Sequence, residues 1–150
     1  MTLNMSVEYT GGQGLKKFNA MKALVRWADA VGPEVRDSLK DHTPVGQGAN
    51  AGRMRDSIRY ERETVSGGIT ILFTANVPYA KYVIDGTAPH EIRAKAARAL
   101  HWSSPSGSHF AKVVHHPGTR PNDFVERTIV PLEPLIKQEL SLILQEELGA

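Results

Sequence analysis

The chain contains no cysteine. Disulfides, thiolate zinc sites and a thiol nucleophile are therefore excluded, and nothing calls for an oxidising compartment. Long apolar runs are also missing. Ile71–Phe73 is representative of the longest, whereas a helical membrane span needs about 20 apolar residues. The first 14 residues are polar and glycine-rich and lack the charged start, apolar middle and small-residue cleavage site of a secretory signal, so a cytosolic protein is expected. Aromatic residues make up only 7% of the sequence. What is there is ordinary for a globular protein: 150 residues, 41% hydrophobic and 23% charged. A chain of this length buries roughly 68–70% of its unfolded surface in one core. One domain over residues 1–150 is expected, with a flexible lead-in over 1–13.

The formal net charge of +2 hides an uneven distribution. Residues 86–122 hold five Lys/Arg against one Asp/Glu, while residues 123–150 hold two against six. Five of the six histidines (His90, His101, His109, His115 and His116) fall in the basic stretch. Opposite charge blocks on one small chain suit either head-to-tail contact between copies or a face turned to a polyanion.

Hydrophobic spacing divides the chain further. Leu15, Phe18, Met21, Leu24, Val25 and Ala28 recur at three and four, which predicts an amphipathic helix with a kink or break at Gly32-Pro33 and an end at Thr43-Pro44. Val45–Gly52, with three glycines, reads as a mobile loop, disordered in the free subunit. The period then changes to two. Ser57–Val65 and Ile69–Ala75, separated by Ser66-Gly67-Gly68, predict a hairpin. Val77–Asp85 predicts about two turns of helix stopped by Gly86. Short strands are expected over His90–Ala94, Leu100–Ser103 and Phe110–His115, with a loop over Ser103–Ser108. Helical spacing returns over Asn122–Leu148, where Pro131 and Pro134 predict a kink or a restart near Val130. The expected class is α+β: a central antiparallel sheet of short strands, a long N-terminal helix, a short middle helix and a C-terminal helix.

Catalytic signatures are sparse. His101, His109, His115 and His116, with Glu91 and Asp123, are the right residue types for a metal. Their spacing matches no metal motif, and neighbouring residues on a strand point to opposite faces, so His115 and His116 cannot serve one site together. No G-x-S-x-G elbow singles out a serine. Gly11-Gly12-Gln13-Gly14 lacks the Lys-Ser/Thr pair of a phosphate loop and reads as a lead-in to the first helix. Arg93, Lys95 and Arg98 followed by Trp102 superficially suit nucleic acid, without the aromatic pair of an RNA-binding sheet or a recognition helix.

Three ordered segments carry a resemblance. Pro78–Lys95 contains Tyr-Ala-Lys-Tyr-Val, Gly86-Thr87 and Pro-His90-Glu-Ile-Arg-Ala-Lys; Ala99-Leu100-His101-Trp102 follows; Phe110–Pro121 ends in His116-Pro117-Gly118-Thr119-Arg120-Pro121. In order and spacing this resembles the tail-component family of tailed bacteriophages, the head-tail joining or tail completion proteins, over about residues 40–130. Thr43-Pro44 and Arg53–Ile58 resemble an upstream family segment more loosely. Asn122-Asp123-Phe124 departs from the usual Pro-Phe approach to the last helix.

The resemblance implies a structural virion protein of the phage neck rather than an enzyme, with no cofactor and no membrane. It implies a ring of copies, six in number, between the head-completion or connector protein and the tail terminator or tail-tube protein. Such a ring would assemble in the host cytoplasm and let DNA pass. The motif residues Gly86, Thr87, His90, His116, Pro117, Gly118, Thr119 and Pro121 read as turn chemistry. Arg93, Lys95, Arg98, Lys112 and Arg120 are expected to face channel DNA or a neighbouring subunit. The acidic terminal helix is expected to meet a neighbour's first helix through Lys16, Lys17, Lys22 and Arg26. Because its apolar arc is wide, with Leu135, Leu142 and Leu148 beyond a single stripe, one side is expected on its own sheet and the other on a neighbouring subunit. A metal-dependent nuclease or a nucleic-acid-binding module using residues 86–122 is the competing expectation.

Overall fold

A computed structural model of the chain describes residues 2–8, 17–95 and 97–149. The Gly11–Gly14 segment, with Leu15 and Lys16, lies outside the described residues. In chain order the elements are β1 (Thr2–Glu8), α1 (Lys17–His42), α2 (Arg53–Ser57), β2 (Ile58–Val65), β3 (Gly68–Ala75), α3 (Ala80–Asp85), β4 (His90–Arg93), β5 (Leu100–Ser104), β6 (Gly107–Ala111), β7 (Val113–His116) and α4 (Phe124–Gly149). The class is α+β, as its sequence predicts. The chain forms two compact units, a larger one of Met1–Ala80 with Asp123–Ala150 and a smaller one of Lys81–Asn122.

The larger unit is built on an antiparallel sheet of order β1-β3-β2. β3 alternates along its length: Ile69, Ile71, Phe73 and Ala75 are buried, while Thr70, Leu72 and Thr74 are half-buried. That period of two lays one apolar face against α1. The hairpin forms as expected around Ser66-Gly67, with Gly67 at φ 86° supplying the left-handed residue of a tight turn. Residues 2–8, read from sequence as part of a flexible lead-in, instead pair along β3, with Leu3 opposite Phe73 and Met5 opposite Ile71. The alternation Leu3, Met5, Val7 is the strand signal that the neighbouring glycines obscured. α2 is a second addition, a single turn before β2 that buries Met54.

α1 is the center of the unit. Ala20, Ala23, Leu24, Trp27, Ala28, Val31, Val35 and Leu39 are all buried, an arc wide enough to meet both the sheet and α4. The predicted break at Gly32-Pro33 is absent and the helix runs through. An internal proline costs about 3 kcal/mol, but burying each of Val31, Val35 and Leu39 stabilises by about 1.5–3 kcal/mol. Packing therefore decides. Gly32 has its own role, because a Cβ there would lie 2.6 Å from the Tyr60 ring of β2. That ring packs on the bare helix backbone and tilts against Phe73, 6.4 Å away between centroids.

α4 is likewise continuous through Pro131 and Pro134, against the expected kink or restart. Its main partner is α1, not the sheet, which corrects the expected packing of its inner side. Phe124, Thr128 and Ile143 are buried, and the Thr128 hydroxyl donates to the Phe124 carbonyl at 2.6 Å, so the buried hydroxyl is satisfied. The Trp27 indole N–H donates to the Ile136 carbonyl at 3.1 Å, tying the two helices together. At the far end Glu147 accepts from Lys22 at 2.9 Å and from Arg26 at 2.6 Å, and Glu146 accepts from Arg26 at 3.1 Å. The α1 cations Lys22 and Arg26, expected to meet a neighbouring copy, are thus engaged within the chain. Complementary charges on helices already pressed together by apolar packing find each other first.

Glu147 is only 10% exposed, and hydrogen bonds from Lys22 and then Arg26 hold its carboxyl below the ordinary carboxylate range. A depressed folded-state pKa gives stability that is present above the unfolded value of about 4.3 and lost as pH falls through the folded one. Glu147→Gln is therefore expected to lower the melting temperature at neutral pH. The gap from wild type should close as the pH is lowered below about 4; thermal melts at a series of pH values check this, and a constant gap would contradict it.

Candidate functional site

The smaller unit gathers the motif residues. β4 pairs with β7, His90 opposite His116 and Glu91 opposite His115, and beyond the ladder Thr87 bridges Thr119. The bridge is reciprocal: the Thr87 N–H donates to the Thr119 carbonyl at 2.9 Å and the Thr119 N–H to the Thr87 carbonyl at 3.0 Å. The loops come so close that both glycines are obligatory. Gly86 has φ 71°, and a Cβ on it would strike the Thr119 carbonyl oxygen and lie 2.8 Å from the Pro121 nitrogen. Gly118 has φ 89°, and a Cβ there would strike the Thr87 carbonyl oxygen. The Gly-Thr and Pro-Gly-Thr motifs are thus two halves of one backbone clasp, in which each glycine leaves room for the other loop's threonine carbonyl. Pro121 leads to Asn122, whose N–H meets the Val83 and Ile84 carbonyls at the C-terminal end of α3.

The histidines are arranged as the alternation of a strand requires. The His90 and His116 rings stack at 5.0 Å. Nδ1–H of His90 donates to the Ala88 carbonyl at 2.9 Å, and Nδ1 of His116 accepts from the Gly118 N–H at 3.0 Å. His115, on the other face, lies 3.5 Å from Glu91. His101 stacks on Phe110 and His109 on Trp102, on opposite faces of the β5–β6 hairpin. Among the described residues no three His, Asp or Glu side chains converge on a metal position. Tyr82 and Ile92 stand exposed beside the clasp.

The basic residues sit around this frame. Arg93 ends β4 and pairs with Glu91. The Ala94 N–H donates to the Lys112 carbonyl, which brings the segment of Arg93 and Lys95 beside Lys112; Leu100 pairs with Ala111, which brings Arg98 to the same end. Arg120 lies apart, next to the Thr87–Thr119 bridge. All five are exposed, and among the described residues Lys95, Arg98, Lys112 and Arg120 have no ion-pair partner. The smaller unit carries six Lys/Arg against two Asp/Glu.

The β5–β6 hairpin differs from its sequence reading. The loop expected over Ser103–Ser108 is a tight turn at Pro105-Ser106, and the strand expected over Phe110–His115 breaks at Lys112 into β6 and β7. Ser104 Oγ and Ser106 Oγ lie 2.8 and 3.1 Å from His109 Nε2 and brace the turn. Among the described residues the hairpin pairs only with itself. It presents Phe110, 71% exposed, on one face and Trp102 on the other. Sequence reasoning missed Phe110, although the near-palindromic order His-Trp-Ser-Ser-Pro-Ser-Gly-Ser-His-Phe signals a turn with aromatic-histidine pairs across it. On α4, Leu135, Leu142 and Leu148 are exposed, as their distance from the main stripe predicts. Leu135 and Leu142 line a groove of about 290 Å³ between α4 and α1.

Comparison with known families finds one match. The model of the family described as "Bacteriophage HK97-gp10, putative tail-component" matches residues 13–86. Over residues 13–86 the chain is similar to this phage tail-component family. The match takes in α1, α2, the β2–β3 hairpin and α3, and ends at the first clasp glycine; the later motifs over 89–121, on which the resemblance chiefly rested, lie outside it. No curated protein and no solved structure matches the chain.

With the clasp holding the smaller unit, Gly118→Ala is expected to be costly. A left-handed non-glycine residue costs of order 1–3 kcal/mol, and here backbone must also move. Hydrogen exchange of the β4 and β7 amides should accelerate. Gly107→Ala, at φ 119° but with nothing within 4 Å of the added Cβ, should disturb its hairpin less; equal effects would show that the close approach of the loops is not the cause.

Proposed function

We propose that this phage tail component is a structural, non-enzymatic subunit of the virion neck, forming a six-membered ring between the head-completion or connector protein and the tail terminator or tail-tube protein. The observation that carries this reading is the family match over residues 13–86. The ring assembles in the host cytoplasm, stays in the virion and lets the genome pass. Arg93, Lys95, Arg98, Lys112 and Arg120 supply counter-charge without base-reading geometry, suited to DNA sliding through a channel or to the flank of the next copy. The 45–52 loop, whose described side chains are exposed, orders against a neighbour.

A phage whose copy of this gene is disabled should accumulate filled heads and full-length tails that remain unjoined, and supplying the protein in trans should restore particles. Normal infectious particles without the protein would overturn the reading. The channel role has its own readout. Purified protein should bind duplex DNA irrespective of sequence, and changing Arg93, Lys95, Arg98 and Arg120 to Gln should reduce the slope of log affinity against log salt by about 0.9 for each cation that meets a phosphate.

A further inference from the structure

Two surfaces of the chain are unfinished, and their chemistries match. The first is the groove on the larger unit. Val31 and Val35 of α1 form one wall and Leu135 and Leu142 of α4 the other, with Glu34 and Glu139 at the rim. Leu135 is 60% and Leu142 48% exposed. Neither rim glutamate has an ion-pair partner among the described residues, whereas Glu146 and Glu147 further along α4 are engaged with α1. The second surface is the β5–β6 hairpin, with Phe110 standing out to solvent and Arg98 and Lys112 flanking its base. A lone two-stranded hairpin is marginal by itself, and an exposed aromatic flanked by unpaired cations is the kind of anchor that fills an apolar pocket with an acidic rim.

We infer that the groove between α1 and α4 receives the β5–β6 hairpin of a second copy of this chain, Phe110 seated between Leu135 and Leu142 and Lys112 paired with Glu139. The charge division favours this occupant: the smaller unit holds six Lys/Arg against two Asp/Glu, the rest of the chain twelve against fourteen. The contact is heterologous, because the surface given differs from the surface received, so it propagates from copy to copy and closes only as a ring. It rests on the proposed oligomeric reading and names the faces that build it.

Sedimentation of the full chain tests it. Wild type is expected to form concentration-dependent species beyond a dimer. Phe110→Ser and Leu135→Glu should each sediment as monomers with melts showing a folded chain, and Leu142→Glu gives an independent groove variant. An equimolar mixture of Phe110→Ser and Leu135→Glu should give a species of twice the monomer mass and nothing larger, since one retains the groove and the other the hairpin. Glu139→Lys should weaken assembly, and adding Lys112→Glu should restore it. A wild type that stays monomeric, single variants that assemble like wild type, a mixture that stays monomeric, or a charge swap without recovery would each overturn the inference. Complementation separates this from the neck role: if the variants assemble normally while phage lacking the protein still fail to join heads to tails, only the inference falls. If phage join without the protein, the neck role falls whatever the sedimentation shows.

Discussion

The larger unit depends on one helix being buried on two sides. α1 carries the sheet on one part of its surface and α4 on another, and Trp27, almost wholly buried, is where the helix-helix layer is tied by its indole N–H to the Ile136 carbonyl. That double burial explains why three prolines inside two helices break neither. The apolar area packed around Pro33 outweighs its lost hydrogen bond, and α4 is tied to α1 at Ile136, Glu146 and Glu147. It also explains where the charges go. Once α1 and α4 are adjacent, Lys22 and Arg26 meet Glu146 and Glu147, and these two cations are engaged inside the subunit.

Most of the uncompensated positive charge lies in the smaller unit, where Lys95, Arg98, Lys112 and Arg120 have no ion-pair partner among the described residues. Its strands are short, its two sheets have two strands each, and its frame is fixed by backbone geometry at the Gly86–Gly118 clasp more than by a core. Cations on such a frame point outward by default, because there is little acidic or apolar surface within the unit to hold them. The two units differ physically: one is well packed and carries a groove, the other is clasped, basic and poor in buried apolar residues. Exposed Phe110, Leu135 and Leu142 are easier to understand on a protein that meets partners than on a solitary one.

Much of this was legible in the sequence. Period-two alternation located β2 and β3, Ser66-Gly67 located their turn, and the ordered Gly-Thr and His-Pro-Gly-Thr motifs pointed to the family that the match over 13–86 supports. The failures share a cause. β1 was hidden because a short alternating run beside glycines resembles a lead-in, and only pairing with β3 makes it a strand. The helix breaks were expected from local proline chemistry and overridden by packing that sequence spacing does not show. The α1 cations were assigned outward because a linear reading cannot see that α4 returns beside α1. The reciprocal clasp was readable only as turn chemistry: which loop each glycine must accommodate is a distance between residues about thirty positions apart.

α1 joins the sheet and α4 into a single cooperative body. Native-state hydrogen exchange of wild type and Trp27→Phe measures this most directly. The β3 and α4 amides are expected to exchange through one shared opening, and the substitution to lower protection in both by the same free energy. Loss of protection confined to α4, with β3 unchanged, would contradict it.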